Sequence, residues 1–237
     1  MISFDDTEFS GGQVVSRIGN GYRYDTSGCY RTRKCASFEN DFNTRSVPEL
    51  KQDVEDHFGK SVSLNHDGSL LAVGKEKDDG KNGLTNNAGA VQLFKFTNDG
   101  GSIVSAATGK ATYVGTIGNG YNYLNTNDPS VHSVALQNSD KFGTSVAFDK
   151  DANRLAVTFN DKSSPNSNAK PGAVNLYTLT SDLASATLAG TIGDGYSGGK
   201  NVDLSSSLDV RDLFGEGVDL NETGSRLVVS GQLANGR

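Results

Sequence analysis

The sequence contains no tryptophan, two cysteines and three histidines, and no apolar run near the roughly 20 residues that span a bilayer. No membrane span is expected. The first residues, Met1-Ile2-Ser3-Phe4-Asp5-Asp6, have neither the basic nor the apolar region of a signal peptide. A removed signal, a piece of a longer chain and an intracellular protein all stay open on that point. Basic residues are also scarce: 22 Lys and Arg face 28 Asp and Glu, for a net charge of -6. With the only basic cluster at Arg31, Arg33 and Lys34, no cationic stripe exists to neutralise phosphates, and nucleic acid is excluded as a partner. Cys29 and Cys35 lack the second Cys or His pair that a four-ligand zinc site needs. Close together in a polar loop, they are expected to close a small structural disulfide, which implies an oxidising compartment.

What the chain has in quantity is glycine, 29 residues of it, with 35% hydrophobic residues. That balance suits short strands joined by many turns. One phrase occurs three times, as Ile18-Gly19-Asn20-Gly21-Tyr22, Ile117-Gly118-Asn119-Gly120-Tyr121 and Ile192-Gly193-Asp194-Gly195-Tyr196. A second phrase, Asp-x-Phe-Gly, follows each, at Asp56 to Gly59, Asp140 to Gly143 and Asp212 to Gly215. Residues that recur are presumed to build the unit, and only residues unique to one copy are free to form a site.

Aligned on Phe-Gly, each copy reads as a strand, an Asx or Gly turn and a second strand. Val62 and Leu64, Val146 and Phe148, and Val218 and Leu220 then place apolar side chains on one face at period two. Third strands follow at Gly89 to Phe94 and Gly172 to Tyr177, and fourth strands run into the opening phrase at Tyr113 to Ile117 and Leu188 to Ile192. Four antiparallel strands make a blade, and blades stacked radially bury both faces of every sheet, as in a β-propeller. The expected fold is all-β, with about three blade equivalents. Phe58, Phe142 and Phe214 are expected to pack between blades, beside Gly59, Gly143 and Gly215, where positive φ or close approach is required.

The expected organisation assigns residues 1–22 to the end of a preceding blade, 23–57 to an inserted loop, 58–122 to a complete blade, 123–196 to a linker and second complete blade, and 197–237 to a linker and the first half of a further blade. The insertion holds the Cys pair and a short helix from Ser46 to Val54, with Ser46 as N-cap and Pro48 in the first turn. Ile2 to Phe4 reads as the tail of a third strand and Gln13 to Ile18 as a fourth. Both terminal blades are therefore expected to be incomplete and to complement each other, within one ring or between chains. A closed three-bladed ring would be tighter than the usual 4–8 blades, which favours pairing between chains or truncation of a longer repeat protein.

The phrases Phe-Gly-x-Ser-Val, Leu-Ala-Val-Gly and Gly-Ala-Val-x-Leu-Phe resemble FG-GAP-type repeats, which build the propeller of integrin α chains and of many surface proteins. The resemblance implies a propeller blade in an extracellular or cell-surface protein. The Gly-Ala-Pro end of the motif is replaced by Gly74-Lys75-Glu76, Thr158-Phe159-Asn160 and Ser230-Gly231-Gln232. The calcium loop of the integrin-type repeat is also missing: Asp67 comes too soon after Phe58, and the later turns lack a ring of oxygen ligands. No metal or cofactor is expected.

Catalysis finds little support. His57, His66 and His132 stand in three different settings, and none recurs or falls in a catalytic motif. The recurring Asp56, Asp140 and Asp212 read as caps or turn residues. The Gly-x-Gly of the opening phrase has no following helix to bind a phosphate. The chain is therefore expected not to be an enzyme but a structural module of a surface filament, appendage or coat, self-associating through its terminal strands. The alternative is an adhesin or lectin-like propeller that binds a glycan or a cell-surface protein through its loops, with Tyr22, Tyr121 and Tyr196 as ligand contacts; a polysaccharide-active enzyme is the third reading. Asn221 heads the one N-glycosylation sequon.

Overall fold

The computed structural model describes residues 2–3, 10–11, 13–14, 18, 55–98, 100–104, 110–121, 134–166 and 169–232. Cys29, Cys35, Tyr22, His132 and the helix expected from Ser46 to Val54 lie outside the described residues. All regular structure among those described is β. Strands β1 (Ile2–Ser3) and β2 (Gln13–Val14) pair antiparallel. The first large sheet runs β3 (Phe58–Leu64), β4 (Leu70–Lys75), β5 (Ala90–Thr97) and β6 (Lys110–Gly118), each antiparallel to the next. The second repeats it with β7 (Phe142–Phe148), β8 (Arg154–Phe159), β9 (Ala173–Leu179) and β10 (Ala186–Gly193). Strands β12 (Phe214–Leu220) and β13 (Leu227–Gly231) form the first hairpin of a third. These sheets are propeller-like blades.

One element departs from the expected four antiparallel strands. Strand β11 (Val202–Asp203) adds a fifth to the second blade, parallel to β10. The side chain of Asn201 holds it there by accepting the Thr191 amide at 2.8 Å. Two residues of outer-edge pairing carry too little periodicity to be read from sequence.

Local chemistry sets each first hairpin. Asn65 accepts the Ser69 and Leu70 amides, each at 2.9 Å, Asp149 accepts Arg154 N at 3.0 Å, and Asn221 accepts Arg226 N at 2.7 Å. The side chain thereby closes the turn in place of a backbone carbonyl. The Asn221 amide also donates to Thr223 at 3.1 Å, so the sequon residue does the turn-building work of its equivalents. Each first strand breaks register just after Phe-Gly, between Phe58 and Ser61, Phe142 and Val146, and Phe214 and Gly217. A bulge there bends the strand where it meets its neighbour.

The blades pack face on face. Leu70, Ala72, Val91 and Leu93 on the back of the first blade meet Val146, Phe148, Leu155 and Val157 on the front of the second. Ala147, Ala156 and Val174 on the back of the second meet Val218, Leu220 and Val229 of the third. The Phe of the motif anchors each aromatic cluster: Phe142 lies edge-on to Phe159 at 5.6 Å and to Tyr177 at 6.4 Å, as Phe58 does to Phe94 at 6.4 Å.

In the first blade only part of the corresponding face is covered: Leu71, Val73, Phe94 and Phe96 are buried with Ile18 packed against them, but Val62 and Leu64 on strand β3 stay in water. Val62 is 63% exposed and Leu64 43%, whereas their equivalents Val146 and Phe148 are 5% and 6% exposed. Side-chain period is the same in both; only the second blade has a described sheet stacked on that face.

Candidate functional site

The feature that distinguishes this molecule is the seam between blades, formed twice among the described residues. Three kinds of contact make it. The glycine following each Phe has positive φ, +88° at Gly59, +89° at Gly143 and +100° at Gly215. At Gly143 a Cβ would stand 2.5 Å from the Ala90 carbonyl oxygen, and at Gly215 2.9 Å from Thr158, so the preceding blade touches the backbone there. At Gly59 a Cβ would meet nothing within 4 Å. Main-chain bonds add to this: Phe142 N donates to Ala88 O at 2.8 Å, and Phe214 N to Pro171 O at 2.7 Å.

The second contact is a rung between hairpin turns. His66 N donates to Lys150 O at 2.9 Å, and Lys150 N donates to Glu222 O at 3.0 Å. His66, Lys150 and Glu222 are equivalent positions of successive copies, so the rung propagates in one direction, head to tail. Lys150 and Glu222 are also ion-paired at 3.0 Å, and the ammonium holds the exposed Glu222 carboxyl below its usual range.

The third is a polar cross-link through side chains. Ser61 donates to Gly143 O at 2.9 Å, Ser63 accepts Phe148 N at 2.9 Å, and Asn160 donates to Glu216 at 2.6 Å. Each bonds a side chain of one blade to the first strand of the next.

A buried charge cluster at one corner of the first blade is not legible from the recurring motifs. Lys75 is fully buried, 2.7 Å from Asp78 and 3.0 Å from Asp56. Asp78 also accepts the Gly80 amide at 2.8 Å and the Tyr121 hydroxyl at 2.9 Å on each oxygen. The signal available in sequence is that Lys75 stands where the second copy has Phe159. The recurring aspartates combine turn-building with ion pairing. Asp140 and Asp212 cap the chain before the strand, accepting Gln137 N at 2.8 Å and Asp209 N at 2.7 Å, and Asp140 also pairs with Lys162 as Asp56 does with Lys75.

Tyr121 is 7% exposed, which leaves its ring no open face for a ligand. Burial, with Asp78 beside it, pushes its hydroxyl well above the usual tyrosine range. Removing that hydroxyl alone, by Tyr121→Phe, is expected to cost about 1.5–3 kcal/mol, the usual worth of a hydrogen bond to a charged group. Urea unfolding measures it. Tyr196 differs: it is half-buried, lines an open cleft, and has its hydroxyl raised to about 12 by burial and then by Asp140.

The two described histidines stay apart. His57 pairs with Glu76 at 3.0 Å, and His66 sits in the hairpin turn. Among the described residues no three His, Cys, Asp or Glu side chains are grouped to hold a metal, and no helix is long and apolar enough to cross a membrane.

Comparison with known proteins fits this geometry in part. No curated protein matches the chain. Residues 52–94, which hold β3, β4 and the start of β5, match the family model described as FG-GAP repeat, and the first blade is thereby placed with the FG-GAP-type repeats.

Proposed function

We propose that the protein is a structural module of an extracellular or cell-surface assembly, in which copies join head to tail through their outer blade faces. The observation that carries this reading is the exposure of Val62 and Leu64 on strand β3 of the first blade, beside buried equivalents in the second. The back of the third blade supplies the mate: Val228 is 66% exposed where its equivalent Ala156 is fully buried. Glu222 N–H and His66 C=O would form the next rung. Strands β3 and β7 pack together, as do β7 and β12, but no comparable packing joins β3 to β12. The described blades therefore form an open stack.

Magnitudes decide how much surface such a joint needs. Burying Val62 and Leu64 would contribute about 1.5–3 kcal/mol each, while association costs about 4–15 kcal/mol in lost freedom. Two side chains do not suffice, so the hairpin rung and the glycine approach must form too, as they do at the internal seams. Charges at these two positions should abolish the joint without unfolding the blade, because both side chains are already in water. Light scattering and negative-stain microscopy test this. The wild-type chain is expected to form particles that lengthen with concentration, and Val62→Asp with Leu64→Asp to stay at 25.0 kDa. A wild-type chain that remains monomeric at every concentration would overturn the reading.

The same geometry speaks against catalysis as the main role. The described histidines, the recurring aspartates and the buried cluster are all engaged in turns, pairs or packing, and the FG-GAP repeat is a structural and binding unit.

A further inference from the structure

Equivalent corners of the first two blades differ in a way the repeat does not require. In the first, Asp56, Lys75, Asp78 and Tyr121 close on one another as described above. In the second, Asp140 takes the place of Asp56, Phe159 of Lys75, Lys162 of Asp78 and Tyr196 of Tyr121. Lys162 pairs with Asp140 at 2.8 Å and lies over the Phe159 ring at 5.7 Å. The carboxylate that a tyrosine hydroxyl binds in the first blade is therefore a lysine in the second. What opens is a cleft of about 570 Å³ between Gln137, the β8–β9 loop from Lys162 to Asn166, and Tyr196.

We propose that this cleft binds a neutral saccharide unit. Its volume lies within the range of small-ligand sites. Its rim offers hydroxyls from Ser163 and Ser164, amides from Gln137 and Asn166, and the Tyr196 ring and hydroxyl. Such a set donates and accepts in equal measure around one aromatic ring, which is what a polyol with an apolar ring face requires. Charge balance selects neutral over acidic ligands: Asp140 compensates the one cation on the rim, Lys162. The second oxygen of Asp140 is buried with no hydrogen-bond partner among the described residues, an acceptor that an anionic ligand could not satisfy. An apolar ligand is disfavoured because only Pro165 and the tyrosine ring are apolar.

The repeat also explains why the loop and the opening phrase meet here. Gly195 has φ of +77°, and a Cβ on it would stand 2.7 Å from the Asn166 amide and 3.1 Å from Ser164 Oγ. The third opening phrase thus presses on the loop that forms the rim, and places Tyr196 beside Asn166 and Ser164. Ser164 Oγ accepts the Asn166 backbone N–H at 3.3 Å, which leaves its proton free to donate.

This inference does not depend on assembly, and its test keeps the two apart. The full chain carrying Val62→Asp and Leu64→Asp is screened on immobilised neutral hexose and N-acetylhexosamine oligosaccharides, with uronate and sulfated oligosaccharides alongside. The best soluble binder is then titrated by calorimetry. Neutral oligosaccharides are expected to bind. Asn166→Ala with Ser163→Ala, on a solvent-facing loop, is expected to weaken binding at least tenfold with unchanged thermal unfolding. Tyr196→Phe keeps the ring packing and should weaken binding through the hydroxyl alone. Binding confined to uronates or sulfates, binding indifferent to the loop variants, or no binding at all would each overturn the proposal.

Discussion

Gly143→Ala is expected to destabilise the protein by about 3–5 kcal/mol, in the range reserved for changes that break a packed or strained feature. Gly59→Ala is expected to cost only about 1–3 kcal/mol, the price of a left-handed side chain. The two positions are equivalent in sequence and have φ of +89° and +88°, so backbone strain cancels between them. What remains is contact. A Cβ at Gly143 meets the Ala90 carbonyl at 2.5 Å and Gly74 Cα at 3.3 Å, and a Cβ at Gly74 would meet the Gly143 carbonyl at 2.1 Å. These are backbone atoms in paired strands, which cannot swing aside as a side-chain tip does, so relief requires the blades to part. Guanidinium unfolding of both variants measures the difference, and equal losses would show that the seam is looser than its distances. If copies join as proposed, Gly59→Ala should also impair assembly while leaving the isolated chain nearly as stable.

Lys75→Met is the second large effect, expected at about 3–5 kcal/mol, the usual cost of removing one partner from a buried ion pair. The substitution keeps the length and apolar body of the side chain but leaves Asp56 and Asp78 facing each other, both nearly excluded from water. The Gly80 amide and the Tyr121 hydroxyl stay on Asp78 and cannot neutralise two charges. Adding Asp56→Asn and Asp78→Asn to Lys75→Met should recover most of the loss, since a buried group of neutral polar chains avoids the uncompensated charge. Denaturant unfolding of the single and triple variants checks both halves. A single variant within about 1 kcal/mol of the wild type would mean that the cluster is hydrated.

Much of the blade is legible without coordinates. First strands begin at the Phe and end at Leu64, Phe148 and Leu220, where alternation stops and an Asx turn starts, because both signals are local. The positive φ at the three glycines is also local in origin, since the motif places glycine where a bulge must form. The site is less legible. Lys75 reads from sequence as part of the altered Gly-Ala-Pro end of the motif, and Tyr121 and Tyr196 as equivalents. One is sealed against Asp78 and the other lines a cleft. The cause lies at Asp78 and Lys162, which are distant from the tyrosines in the chain.

By itself, then, the sequence determined the repeat, its strands and turns, and the residues that must be small or aromatic for blades to stack. Those follow from side-chain period and from the backbone demands of single residues. Only the tertiary structure decided which of the equivalent first-strand side chains are covered, which lysine each aspartate holds, and where equivalent tyrosines diverge. Each of these depends on pairing between segments far apart in the chain, where burial strengthens a charge contact that water would otherwise weaken.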